Sequence, residues 1–258
     1  MDGKPKKQAA DKDERYRAPA LDKGLDILEL LAEQPGGLTR AEIVKAMGKG
    51  PSEVYRMLER LVARDYVGRS REGDRYALTM KLFVLGHRHP PVRRLVARAL
   101  PLMDAFALAV RQSCHLVVQD RDAAIVVAQA SSPGNWEFGI RIGAQIDLLA
   151  TSSGQTLLAF QDEGARADML ANWAGTEAAA TYAKLAPALA EYRRTGYRIG
   201  GSQQIRGVED ISVPVLTFGG HAVAVLTCPY IQRLDNASAG VDQTLTALTE
   251  VAAKLSIE

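Results

Sequence analysis

Apolar residues recur every three to four positions from Leu21 through Leu25, Leu28 and Leu31, with Asp22, Asp26, Glu29 and Glu33 between them. That spacing predicts a helix with one buried face. Pro35-Gly36-Gly37 stops it. Thr39-x-x-Glu42 then has capping-box spacing, and Leu38 and Ile43 fall where a hydrophobic staple would close over the cap. A short second helix is predicted from there to Met47-Gly48-Lys49-Gly50. Pro51 suits a first helical turn, where a missing N–H is not needed. From Ser52 to Arg64 a third helix is predicted, with Val54, Met57, Leu58, Leu61 and Val62 as its buried stripe. Its other side carries Ser52, Arg56, Glu59 and Arg60, with Glu53 and Tyr55 at the edge. Tyr66-Val67 and Tyr76–Leu78 flank a polar turn, which predicts a β-hairpin with Arg69, Arg71 and Arg75 at or near its tip.

The second half alternates strand and helix patterns. His115–Gln119 and Ala124–Ala128 flank Asp120-Arg-Asp122 as a hairpin, and Phe138–Ile142 reads as another strand. Residues 153–160, 165–173 and 184–195 read as helices. Ile211–Phe218 and Ala222–Thr227, joined through Gly219-Gly220, predict a second apolar hairpin, and a last amphipathic helix runs from Ser238 to Leu255. An antiparallel sheet flanked by helices accommodates these elements.

Three helices, a glycine turn before the third, and a basic hairpin are the parts of a winged helix-turn-helix. The third helix would enter the major groove and the hairpin would follow the backbone or minor groove. The competing reading is a helical bundle with an ordinary hydrated face. On the DNA reading, Ser52 and Arg56 contact bases, Lys49, Tyr55 and Arg60 support them, and Arg69, Arg71 and Arg75 reach phosphates or the minor groove. Arg40 and Glu53 complete the candidate DNA-facing set.

Charge supports this division. Residues 1–98 carry 21 Lys+Arg against 14 Asp+Glu, and the remainder carries 11 against 16. A basic front and an acidic back suggest that only the front meets a polyanion. Residues 1–17 lack an apolar face and read as a disordered arm. With 258 residues, 47% of them hydrophobic, the chain has room for two cored domains. It contains no run of eighteen apolar residues and no signal-type N-terminus, so the expectation is a cytoplasmic protein without a membrane span. Cys114 and Cys228 are the only cysteines and lack ligand spacing, which argues against structural zinc.

Several of these stretches together resemble the IclR family of bacterial regulators. They are Ala20-Leu-Asp-Lys-Gly-Leu-Asp-Ile-Leu-Glu-Leu-Leu31, Leu38-Thr-Arg-Ala-Glu-Ile43 and Ser52-Glu-Val-Tyr-Arg-Met-Leu-Glu-Arg-Leu61. The likeness continues through Gly143–Ala159, which contains Ala150-Thr-Ser-Ser-Gly154, and through Gly196-Tyr197, Gly207–Val215 and Gly220–Thr227. The resemblance implies an α+β protein in four parts. These are an arm (1–17), a winged helix-turn-helix (18–80), a linker helix (81–108) and a GAF/PAS-like α/β effector domain with an antiparallel sheet (109–258). It also implies a homodimer or dimer of dimers on a pseudo-palindromic double-stranded operator, whose DNA affinity changes with a small organic effector. No cofactor is implied.

The effector is expected at Ala150, Thr151, Ser152, Ser153 and Gly154, where small residues open a helix and free N–H groups suit an acceptor-rich metabolite. Plain N-capping by Ser152 or Ser153 is the alternative. The resemblance also places Ser152, Ser153, Val208, Asp210 and Thr227 at family effector-contact positions, and Ser212 joins the set. The chain departs from the family's small-acid sensors, which carry Asp at the position of Gly200, Cys at Asp210, Ser at Pro229 and Lys at Gln155. These departures shift the expectation toward an aromatic or hydroxylated acid, or a related neutral metabolite.

Enzyme motifs are absent: there is no GxGxxG, Walker loop, HExxH or GxSxG. Neighbours on a strand point to opposite faces, so Cys114-His115 makes a poor nucleophile–base pair. His87 and His89 are not expected to bind metal, and His221 is expected in an exposed turn. Trp136 and Trp173 are expected as packing residues, with Trp136 in a loop that could instead cover a pocket. A small-molecule sensor or enzyme with a non-functional helical N-terminal domain is the alternative to a regulator.

Overall fold

A computed structural model describes residues 18–70, 74–86, 88, 90–134, 138–232 and 238–256. The arm, Arg71, His87, His89 and Trp136 therefore lie outside the described residues. The chain divides into two compact units, Met1–His89 and Pro90–Glu258.

The first unit runs α1 (Pro19–Ala32), β1 (Leu38–Thr39), α2 (Arg40–Met47), α3 (Pro51–Ala63), β2 (Val67–Arg69), β3 (Arg75–Leu78) and α4 (Lys81–Gly86). Ile27, Leu31, Ile43, Val54, Leu58, Val67 and Tyr76 form its core. The capping box is present: Thr39 Oγ1 accepts from the Glu42 amide, and the Thr39 amide donates to Glu42 Oε2 at 2.8 Å. The Thr39 amide and hydroxyl, both donating to Glu42 Oε2, hold the Glu42 carboxyl below its ordinary pKa. Gly48, at φ 60°, closes α2. Thr39→Ala is expected to cost about 1 kcal/mol, read as faster amide hydrogen exchange in α2.

The two-residue strand β1 was not foreseen. It pairs with β3, Leu38 opposite Tyr76, and completes a sheet ordered β1-β3-β2. Gly37 makes the pairing possible. Its φ is +64°, and a Cβ there would sit 2.5 Å from the Tyr76 carbonyl oxygen.

The second unit begins with α5 (Pro90–Val110) and continues β4 (Cys114–Asp120), β5 (Ala123–Ala130), β6 (Gln145–Asp147), α6 (Ser152–Ala159), α7 (Glu163–Trp173) and α8 (Glu177–Thr195). It ends with β7 (Arg198–Gly201), β8 (Glu209–Leu216), β9 (Ala222–Tyr230) and α9 (Val241–Leu255). The strands form one antiparallel sheet in the order β6-β5-β4-β9-β8-β7. Period-two alternation splits each strand between two cores. Ile211, Val213, Leu226 and Cys228 face Met103, Phe106 and Leu248 of α5 and α9. On the other face Val117 and Val225 pack with Leu157 and Leu158 of α6, Met169 and Trp173 of α7 and Leu189 of α8.

Several expectations change. The linker foreseen as one helix over 81–108 is two helices, α4 and α5, separated by Gly86 and the Pro90-Pro91 step. The second of them buries Ala99, Met103, Phe106, Ala107 and Val110 in the core of the second unit, so the units divide at residue 89 rather than 108. Phe138–Ile142 is not a strand: the chain turns at Gly143 (φ 86°), and only Gln145–Asp147 pairs with β5. His221 is half-buried rather than exposed. The helix foreseen at 184–195 starts earlier, at Glu177. Among the described residues no helix is long and apolar enough to cross a membrane.

Candidate functional site

In the first unit, Val54 and Leu58 are fully buried and turn the opposite side of α3 outward. Ser52, Glu53, Tyr55, Arg56, Glu59 and Arg60 are all exposed there, as is Lys49 just before the helix. Arg56 makes no hydrogen bond or ion pair with a described residue. Glu53 is held by Lys23 of α1 at 2.8 Å, which lowers its carboxyl pKa. Three other candidate arginines, Arg40, Arg75 and Arg69, have work inside the fold. Arg40 donates to Tyr76 Oη (2.6 Å) and to Glu59 (2.5 Å), and its guanidinium lies 5.3 Å from the Tyr55 ring, tying α3 to β3. Arg75 donates to the Gly36 and Gly37 carbonyls at 3.1 and 2.9 Å and so secures the turn before β1. Arg69 lies 5.3 Å from the Tyr76 ring.

In the second unit a polar row crosses the sheet. Strand register sets Arg198 of β7 beside Ser212 of β8, Ser212 beside Thr227 of β9, and Thr227 beside His115 of β4. Alternation places this row on the face opposite Cys114, Ile211 and Cys228, whose side chains are in the α5/α9 core. The amino end of α6 sits on the row. Ser153 Oγ lies 3.2 Å from His115 Nε2 and 2.8 Å from Thr227 Oγ1, which is 2.8 Å from Ser212 Oγ. Ser152 Oγ donates to Asp210 Oδ2 at 2.7 Å and accepts from Arg198 Nη1, whose Nε donates to Gln155 at 3.2 Å.

The turn entering α6 is pinned as well. Asp147 Oδ1 accepts from the Leu149 and Ala150 amides, and the Thr151 hydroxyl donates to the Asp147 carbonyl while accepting from the Gly154 amide. That leaves the Ser152 and Ser153 amides without partners among the described residues.

A cavity of about 370 Å³ opens against this end of the helix. Of the candidate effector residues, Thr151, Ser152, Ser153, Asp210 and Thr227 line it. Ala150, Gly154, Val208 and Ser212 do not reach its wall: Ser212 supports Thr227 from the side, and Gly154 is pressed against Asp147 and Leu148. Sequence reasoning missed His115, which lines the cavity, and Arg198, which stands behind Ser152. Their signal was weak, because each is one polar residue beside apolar or glycine neighbours, with no motif around it. Burial pushes the His115 pKa down to about 4, so the imidazole is neutral and offers one donor and one acceptor nitrogen. Burial also pushes the Cys114 thiol up to about 12, far from a reactive thiolate. Trp173 packs edge-to-face on Tyr182 at 6.3 Å. Among the described residues no three His, Cys, Asp or Glu side chains cluster as a metal site.

Two family models match the chain, the IclR helix-turn-helix domain over residues 20–71 and the bacterial transcriptional regulator IclR C-terminal domain over residues 91–257. The chain is 30% identical over 209 residues to the HTH-type transcriptional regulator KdgR of Escherichia coli (strain K12), covering 79% of each chain. It is 26% identical over 223 residues to the HTH-type transcriptional regulator XynR of the same organism, covering 84% of this chain and 88% of that one. Among solved structures, an IclR transcriptional regulator from Alicyclobacillus acidocaldarius superposes with a TM-score of 0.69 at 25% identity, covering 93% of this chain and 98% of that one. An IclR homologue from Microbacterium hydrocarbonoxydans, solved in complex with 4-hydroxybenzoate, superposes with a TM-score of 0.73 at 24% identity, covering 92% and 97%.

Proposed function

The chain belongs to the IclR family of bacterial transcriptional regulators, and from that premise we propose that an acidic metabolite in the second-unit cavity controls how α3 engages an operator. It is a regulator with a helix-turn-helix DNA-binding domain and a ligand-binding C-terminal domain, not an enzyme. The regulator acts in the cytoplasm, as a homodimer or dimer of dimers on a pseudo-palindromic site.

Ser52 and Arg56 read base edges, and Lys49, Tyr55 and Arg60 flank them. Of the wing arginines, Arg69 and Arg71 reach phosphate or the minor groove, while Arg40 and Arg75 chiefly position α3 and the wing. The observation that carries this reading is the outward face of α3, where Arg56 is exposed with neither hydrogen bond nor ion pair to a described residue. Arg56→Ala is expected to cost about 1–3 kcal/mol of operator discrimination, and less on non-specific DNA. Parallel gel-shift titrations on operator and scrambled duplex check this. An unchanged ratio would remove Arg56 from the base-reading role.

The effector binds at Thr151, Ser152, Ser153, Asp210 and Thr227, where the free amides of α6 suit a carboxylate. The 4-hydroxybenzoate bound by the Microbacterium homologue fits the same class of compound. A panel of aromatic, keto and sugar acids tests it. A true effector must both raise the melting temperature and shift operator affinity, because only differential binding to two states couples the sites.

A further inference from the structure

Asp210 is the one carboxylate among the described residues that line the cavity. Its cross-strand neighbours leave it open: Gly200 on β7 has no side chain to cover it, and Pro229 on β9 has no side-chain donor. One carboxylate oxygen, Oδ2, accepts from Ser152; among the described residues no donor reaches the other. The direction of that bond is set by chemistry. Arginine only donates and carboxylate only accepts, so the single Ser152 hydroxyl proton points at Asp210 while the Ser152 oxygen receives Arg198. Ser152 therefore has no proton left for a ligand, and Asp210 keeps acceptor capacity on the cavity side that an occupant can fill.

Arg198 decides what kind of donor fits. It is 5% exposed, stacks 5.6 Å from the Tyr192 ring, and has no described carboxylate within ion-pair distance. A buried cation needs a counter-charge, and the nearest anion in this hydrogen-bond chain is Asp210, one hydroxyl away. The Asp210 charge is thus already compensated, and the positive end of α6 lies beside it. A ligand ammonium would add a third positive group to this corner. A hydroxyl fills the acceptor without that repulsion.

Resting on the assignment of this cavity as the effector site, we propose that Asp210 is its specificity-determining residue and that the effector is a carboxylate bearing a hydroxyl group that donates to Asp210. Arg198 is a positioning residue: it orients Ser152 and neutralises Asp210, and so excludes ammonium-bearing acids.

Calorimetric titration of the full chain tests this with 4-hydroxybenzoate against benzoate and with gluconate against hexanoate, which separates aromatic from aliphatic sources. 4-(Aminomethyl)benzoate serves as the ammonium probe. The hydroxylated member of at least one pair is expected to bind at least about tenfold tighter than its partner, because a ligand without the hydroxyl covers the half-buried Asp210 oxygen and leaves it without a donor. Asp210→Ala should reduce that ratio to below about threefold, with tryptophan fluorescence showing an intact fold. Arg198→Gln should shift preference toward the ammonium probe, which mere destabilisation would not do. A ratio that survives Asp210→Ala, a wild-type preference for the ammonium probe, or no binding by either hydroxylated acid overturns the proposal. A hydroxyl preference that persists in Ser153→Leu, which fills the cavity, would instead overturn the assignment of the cavity itself.

Discussion

Acidification from pH 6.5 to about 4 is expected to remove about 3 kcal/mol from the stability of the C-terminal unit, through His115. His115 is 3% exposed on a central strand, and among the described residues its Nε2 meets only the Ser153 hydroxyl. Burial by itself lowers its pKa, with no charged neighbour contributing. Between the two values the unfolded chain binds a proton that the folded chain refuses, so acid favours unfolding. The contribution is fully present above 6.5 and is lost as pH falls toward 4. Both tryptophans, Trp136 and Trp173, belong to the second unit, so urea unfolding of the whole chain followed by tryptophan fluorescence reports on that unit alone. Wild type should lose stability steeply across this window and His115→Gln much less steeply. Equal slopes would assign the acid lability elsewhere.

Gly154→Ala is expected to cost a similar amount, about 3 kcal/mol, at neutral pH. A Cβ at Gly154 would lie 2.5 Å from the Asp147 carbonyl oxygen and the Leu148 Cα, and 2.6 Å from the Leu148 oxygen. These are backbone atoms, held by the Asp147 and Thr151 hydrogen bonds of the same turn, so no rotamer change relieves the contact. Either α6 lifts from the polar row or the turn gives way, and each opens the cavity wall. The same fluorescence assay should show the loss, and titration with a bound acid should show weakened affinity beyond it. A fully stable Gly154→Ala protein would mean that the turn relaxes freely.

Legibility in the sequence followed the range of the forces. The helix starts at Thr39 and Pro51, the stop at Gly48 and the exposed face of α3 are all set by residues within a few positions of one another. Spacing and capping chemistry show them directly. The strand β1 escaped because two residues carry no periodicity; it exists only because Tyr76 pairs with Leu38. Phe138–Ile142 has the alternation of a strand, yet Gly143 turns the chain and gives the edge of the sheet to Gln145–Asp147. The long α5 helix was foreseen as a linker, and its apolar stripe turned out to be a face of the second core.

By itself the sequence determined the winged helix-turn-helix, the face that Ser52 and Arg56 occupy, and the position of the small-residue turn at 150–154, because local spacing decides each of them. Only the tertiary structure decided what that turn confronts. His115 on β4 lies far along the chain from Arg198 and Asp210 on the consecutive strands β7 and β8, and the register of the sheet brings all three to the two serines of α6. Register is a sum over many cross-strand contacts, none visible in any one segment. It also commits the Ser152 proton to Asp210, which is the arrangement behind the proposed selection for a ligand hydroxyl.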